Sequence, residues 1–500
     1  MKKAIPLFAL ALMIVACNNS KEKENPNQTE EQMNEAKNPL LSESTLPYGA
    51  PDFSKIKDEH FKPAMLEGIE QQKKAVEAIA NSEDEPTFEN TVLALEKSGE
   101  LLNKSSQIFY ALAAANTNES LQAVEEEMAP KFATQKDMIY LNDKLFKRFK
   151  ALHDKKESLN LDAESLKLLE DYYEDFEIAG ANLSAEDKEK LKQYNEKIAT
   201  LTTKFGKTLL DANNAGAVNF IDKEDLVGVD EDFLKSKENK DGKGWTIPLQ
   251  NTTQQPLLQS MENRDSREKL FKAGWHRADQ GVNNTSDIIK ELVELRAQKA
   301  KLLGFNNYAE WSLQKTMAKT PEKVNEFFSG LIPAATAKAQ TEADEIQKMI
   351  NSKGQNFTLE PWDWNYYAEM VRKEKYDLDE NQIKPYFEIN NVLEKGVFYA
   401  AQKLYGITYK PRTDIPTYHE DVKVYELFEE NGEPLGLFYT DYFARPSKSG
   451  GAWMDNFVTQ SKLYNKKPVI YNVCNYPKPA NGEPALLTYD EVETMFHEFG

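Results

Sequence analysis

Apolar residues return at every third or fourth position through long stretches of this 500-residue chain, a spacing that commits most of it to one-faced helices. After Ser184, Leu191, Tyr194, Ile198, Leu201, Phe205 and then Thr208 or Leu209 follow one another along a single stripe. Ser184 and Asp187 stand where a helix start needs capping groups. A second stripe takes Phe88, Val92, Leu95, Leu102 and Phe109, about six turns, with the small Gly99 and Ser106 between. A third runs Ile288, Leu292, Leu295, Lys299 and Leu302 and stops at Gly304, where a left-handed cap fits. These are packing faces, not cofactor sites.

The pattern changes near residue 418. Val422, Val424 and Leu427 belong to an alternating run, "ENGE" makes a turn with Asn431-Gly432 at its tip, and "LGLFYTDYF" returns as the second arm of a hairpin. "KPVIYNVCNY" (467–476) is a further strand-like run. A helical chain thus carries a small sheet just before its last helix. Sheet edges offer backbone groups to an extended peptide.

The chain opens with Lys2 and Lys3, an apolar stretch from Ala4 to Ala16, and then Cys17. That is the layout of a secretory signal, too short to stay as a membrane span. "IVAC" resembles the lipobox of bacterial lipoproteins, which implies a lipid on Cys17 and an anchor in the cell envelope, facing the periplasm or the outer surface. Residues 18–40 hold almost nothing that could pack and read as a disordered tether. Cys474 is the second of two cysteines, so no disulfide framework exists, and it reads as a small buried hydrophobe. The net charge of −20 argues against nucleic acid as a partner, since phosphate recognition needs a basic face.

The last segment is "GEPALLTYDEVETMFHEFG". Thr488 with Glu491 three residues on forms a capping box, and Leu487 with Val492 the matching hydrophobic staple. The helix starts there, and His497-Glu498 falls in its third turn, with Val492, Phe496 and Phe499 on an apolar stripe that Met495 broadens. Two imidazoles one turn apart can share a zinc ion, and a Glu one residue after the first lies beside the metal, placed to take a proton from water. His-Glu alone is a common dipeptide. A second copy, His419-Glu420, stands in front of a strand and reads as structural, while His60, His153 and His276 read as surface or packing residues.

Here the chain resembles the M3 zinc metallopeptidases, the group that includes thimet oligopeptidase. "PTFENTVLALEKSG", "ENRDSREKLFKAGWHRAD", "ELRAQKAKLLGFNNYAEWSL", "WDWNYYAE", "KSGGAWMDNF" and "VIYNVCNYPKPANGEPALLTYDEVETMFHEFG" are similar to successive family segments, in order, across roughly residues 45–500. "NVCNY" looks closest to the peptidyl-dipeptidase (dipeptidyl carboxypeptidase) branch. The resemblance implies a predominantly α, two-lobed molecule with a deep substrate channel, a small sheet near the active-site helix and one Zn2+. It implies residues 41–250 as an N-terminal helical region and 251–500 as the first part of the catalytic region. His497 matches a metal ligand and Glu498 the general base. The family's second His ligand matches position 501 and its third ligand lies on a later helix, so this chain alone is expected to be inactive.

Gly450, Gly451 and Ala452 are candidates for substrate-backbone contact, because two adjacent glycines let a backbone approach closely. The expected protein is a monomeric, lipid-anchored zinc peptidase acting on short peptides and releasing C-terminal dipeptides with a zinc-activated water. The alternatives are an oligoendopeptidase of the same family and a non-enzymatic helical lipoprotein that binds nutrients.

Overall fold

The stripes close into helices in the computed structural model, which describes residues 38–377, 380–480 and 482–500. The principal ones are α1 (Asp58–Asn81), α2 (Glu100–Ala115), α3 (Glu119–Tyr140), α4 (Asp143–His153), α5 (Ala163–Ala179) and α6 (Ala185–Ala215). They are followed by α7 (Asn251–Ser260), α8 (Arg264–Trp275), α9 (Ser286–Leu302), α10 (Pro321–Ser352), α11 (Trp364–Tyr376) and α12 (Tyr489–Phe499). Residues 1–17, with Cys17, lie outside the described residues, as does most of the 18–40 stretch. The packed body begins before residue 41, because Leu40 is buried in the same core as α1 and α2. A single leucine there finds an apolar seat, so the expected tether is shorter at that end.

Local signals hold where they are purely local. The Ser184 hydroxyl accepts from the Asp187 N–H at 3.1 Å and starts α6. Leu201 of α6 then packs with Ile288, Leu292 and Leu295 of α9, joined by Tyr194, Ile198 and Phe205. Gly304 takes a φ of +89° after α9, and the Phe305 N–H reaches back to the Ala300 carbonyl at 2.9 Å. The stripe from Phe88 to Phe109 buries Val92, Leu95, Leu102 and Phe109 and half-buries Phe88, but is not one continuous helix. A wide π-type turn at Phe88–Leu93 and a short helix Ala94–Ser98 precede a break at Gly99. A Cβ there would sit 2.7 Å from the Gln72 amide of α1, so a glycine suits the close approach of that side chain at the break.

Two sheets form. β1 (Val218–Phe220) and β2 (Trp245–Ile247) make a small antiparallel pair that the sequence pattern did not announce. The main sheet has β3 (Thr408–Pro411), β4 (Lys423–Phe428), β5 (Pro434–Phe443), β6 (Trp453–Val458) and β7 (Val469–Tyr476) in the order β3-β4-β5-β7-β6. β4 and β5 are the predicted hairpin, with Gly432 at φ +81° in the turn. β7 lies parallel to β5 and antiparallel to β6, which leaves β6 as an edge.

The sheet divides two cores, and the two-residue period of a strand does the dividing. Leu437 and Tyr439 of β5, with Val469, Tyr471 and Val473 of β7, face a cluster with Phe61, Met65, Leu102 and Phe109 from the early helices. Phe438 and Tyr442, with Cys474 and Tyr476, face the other way, onto the helical run 389–405 and Met495 of α12. The central strands are therefore covered on both sides, which is why they read as nearly unbroken apolar runs.

Two glycines inside helices predict substitutions of opposite sign. A Cβ on Gly68 of α1 would meet the Leu102 backbone of α2 at 2.7 Å, whereas one on Gly206 of α6 would meet nothing within 4 Å. Gly68→Ala should cost about 1–3 kcal/mol by forcing the helices apart. Gly206→Ala should gain about 0.5–1 kcal/mol through helix propensity. Urea midpoints of the two variants moving in the same direction would contradict this packing.

Candidate active site

α12 is built by its own first turn. The Thr488 hydroxyl accepts from the Glu491 N–H at 3.2 Å, and the Glu491 carboxylate accepts from the Thr488 N–H at 2.8 Å. The segment before the helix is laced to residues 387–389, with the Leu487 N–H on the Phe387 carbonyl and the Ile389 N–H on that of Ala485. The Tyr476 hydroxyl of β7 donates to the Glu491 carbonyl at 2.9 Å. Glu491 is buried, and burial pushes its carboxyl up to about 7 against the opposing pull of the Thr488 hydrogen bonds.

The buried side of α12 is Val492, Met495 and Phe499, with the Phe499 ring 5.4 Å from Phe438 and 5.8 Å from Phe398. Phe496, expected on that stripe, is 39% exposed and lies against Gly396. Met495 takes the centre because positions 492 and 499 flank it three residues before and four after. His497 is exposed and Glu498 half-buried. The Glu498 carboxylate lies near enough to Cys474 to add to the burial that pushes the thiol up to about 12. Cys474 is thus the inert buried hydrophobe expected of it.

Gly450, Gly451 and Ala452 occupy the loop between β5 and β6. Gly450 and Gly451 are exposed, Gly451 has φ +94°, and Ala452 packs on the same cluster as Val492, Met495 and Phe499. α12 itself lies against β6 and β7. Ala452 and α12 therefore meet in one cluster on the sheet, while the loop before Ala452 is held at the end of α2 through Arg445 and Ser449.

Sequence reasoning missed what holds the loop. Asp441 of β5 is fully buried and accepts from Arg445 at 2.8 and 2.6 Å, from the Lys448 ammonium at 2.8 Å and from the Tyr418 hydroxyl at 2.7 Å. Lys448 also donates to the carbonyls of Asp441, Phe443 and Cys474 at 2.6–3.1 Å. Arg445 reaches the Ala115 carbonyl at the end of α2, where the helix dipole favours a cation. Burial alone would raise the Asp441 carboxyl, but Arg445 and Lys448 hold it below the usual range. Burial draws the Lys448 ammonium down to about 8, although Asp441 pulls the other way. A lysine between Ser447 and Ser449 carries no sequence mark of burial.

The remaining candidates are structural. The His419 ring accepts from the Asp421 N–H within a turn, His153 stacks on Tyr173 at 3.9 Å, and His276 pairs with Asp279 at 2.7 Å. His60 accepts from the Lys57 N–H at the start of α1. Asp363 is fully buried between Arg264 and Arg267. Among the described residues no three His, Cys, Asp or Glu side chains stand close enough to hold a metal ion. His497 is a donor of the kind zinc takes, but a catalytic zinc needs three protein ligands.

A capped helix bearing His-Glu, set against a sheet with an edge strand, is the arrangement that the resemblance to the M3 metallopeptidases implies. The family model for peptidase family M3 matches residues 257–500. The chain is 51% identical over 473 residues to the dipeptidyl carboxypeptidase of Escherichia coli (strain K12), a match covering 93% of this chain and 69% of that protein. It is 49% identical over 469 residues to the dipeptidyl carboxypeptidase of Salmonella typhimurium (strain LT2), with the same coverage of each. It is 31% identical over 475 residues to the oligopeptidase A of that organism, again covering 93% and 69%. Among solved structures, PZ peptidase A with an inhibitor aligns at TM-score 0.46 and 16% identity, over 89% of this chain and 63% of that one. The chain belongs to peptidase family M3 and is a metallopeptidase, which sets aside the nutrient-binding alternative.

The raised carboxyl of Glu491 has a signed consequence for stability. Its folded pKa lies above the unfolded value, so its contribution is present at pH 4 and is lost as pH rises through about 7. Glu491→Gln keeps an acceptor for the Thr488 N–H and removes the titration. The stability of wild type relative to this variant should fall by about 3 kcal/mol between pH 4 and 8. A difference independent of pH would show that the carboxyl ionises freely.

Proposed function

We propose that the full-length protein is a zinc-dependent enzyme that releases dipeptides from the C-termini of short peptides and is held at the cell envelope by lipid on Cys17. The observation that carries the specificity is the 51% identity to a dipeptidyl carboxypeptidase, set against 31% to an oligopeptidase A over the same stretch.

Zinc, when bound, supplies a Lewis acid that polarises the scissile carbonyl and acidifies water. His497 would supply one of its ligands, and among the described residues no group of three His, Cys, Asp or Glu side chains completes a site. Glu498, about 100° further round the helix, takes the proton of the attacking water and returns it to the leaving amine. The edge of β6 and the Gly450–Ala452 loop hold the peptide extended by backbone hydrogen bonds. Gly450 supports this part. Its φ is not left-handed and a Cβ there would meet nothing within 4 Å, so no packing inside the described residues requires a glycine at that point.

In the full-length protein, Glu498→Gln should retain zinc by atomic absorption while kcat falls about 100- to 10,000-fold. Wild-type turnover in that variant would overturn the role of Glu498. The wild-type enzyme should remove two residues from a free C-terminus and spare the C-terminally amidated peptide. Cleavage within a blocked peptide would instead favour an oligoendopeptidase.

The anchor rests on the apolar run from Ala4 to Ala16 followed by Cys17. Cells fed radiolabelled palmitate should label the wild-type protein in the membrane fraction but not Cys17→Ser. Equal labelling of both would rule the anchor out.

A further inference from the structure

The segment from Ala444 to Ala452 is shaped from outside itself. Lys448 is pinned beneath it by Asp441 and three carbonyls, and the Ser449 N–H donates to the Ala114 carbonyl of α2 at 2.8 Å. Beyond Ser449 the hold passes to one side chain, Asn475 on β7. It is 2% exposed, and its amide nitrogen donates to the Ser449 carbonyl at 2.8 Å and to the Gly451 carbonyl at 2.7 Å. Its backbone is fixed in turn, since its carbonyl accepts from the Thr252 hydroxyl of α7.

A single amide therefore grips the carbonyls on both sides of Gly450, from the buried side of the loop. The N–H groups of Gly450 and Gly451 have no hydrogen-bond partner among the described residues, and both residues are exposed. Gly451 also sits in a backbone conformation, φ +94°, that needs an external hold to be the unique one. With its two flanking carbonyls turned inward, the loop keeps its free donors for the carbonyl groups of an extended peptide.

We propose that Asn475 is a positioning residue for the peptide substrate, acting through the Gly450–Gly451 backbone. The proposal rests on the reading of that loop as a substrate contact. Asn475 touches no substrate; it sets the direction of the groups that do. Loss of a fixed direction weakens ground-state and transition-state binding alike, so its signature is KM rather than kcat.

The test compares Asn475→Ala, Asn475→Ser and Gly450→Val in the full-length, zinc-loaded protein, using steady-state hydrolysis of a short peptide with a free C-terminus. Serine is too short to span both carbonyls and serves if the alanine variant fails to fold. Both Asn475 variants should raise KM about tenfold with kcat within about twofold of wild type, and Gly450→Val should raise KM as well. If Gly450→Val raises KM while the Asn475 variants keep a wild-type value or lose only melting temperature, the positioning role is overturned and the loop stands as a substrate contact. If Gly450→Val leaves KM unchanged, the loop does not hold substrate and both ideas fall.

Discussion

A carboxylate with no access to water, Asp441, ties together everything around the site. A charge in that position must be matched in place, because an unpaired ion in the interior costs several kcal/mol. The matching comes from Arg445 and Lys448 in the loop that follows and from Tyr418 in the segment before the hairpin, while main-chain carbonyls take up the surplus positive charge. Arg445 carries the network to the end of α2, and Lys448 carries it to β7 through the Cys474 carbonyl. Early helices, central strands and the loop into β6 are thus parts of one electrostatic unit.

The two-sided sheet turns that unit into a frame for chemistry. On one face the strands rest on α1 and α2; on the other they support α12 through Phe438, Cys474 and Tyr476. The His-Glu pair rides on a helix whose inner side is wedged by Met495 and whose first turn is closed by Thr488 and Glu491. Glycines 450 and 451 ride on a loop whose underside is clamped by Lys448 and Asn475. Both elements rest on β7, the helix by packing and the loop through Asn475.

What could be read from the chain alone was what depends on neighbours within a few residues. The caps at Ser184 and Thr488, the left-handed Gly304, the turn at Asn431-Gly432 and the stripe shared by α6 and α9 all follow from local spacing. The family segments ending in His497-Glu498 were legible because the pattern is contiguous. The break at Gly99 was hidden because the close contact that favours a glycine there, with Gln72, comes from another helix. β3 and β6 were hidden because they are short edge strands whose apolar residues are interrupted by Thr408 and Lys410 in one and by Asp455 and Asn456 in the other. Lys448 and Asn475 look like surface residues in sequence. Only the register of β5, β7 and β6 puts one against a carboxylate and the other beneath a loop.

The strand order has a consequence in time as well as in space. β7 is inserted between β5 and β6 although it is made after both. While the chain emerges from the ribosome, β5 has one bare edge, and Lys448 lacks its carbonyl on residue 474. The central slot fills only once residues 469–476 are free to enter it, and α12 can dock only on the completed sheet. Completing the catalytic frame therefore requires the last-made strand to enter the centre of the sheet, a non-local pairing of the kind that slows folding and leaves strand edges open to wrong partners.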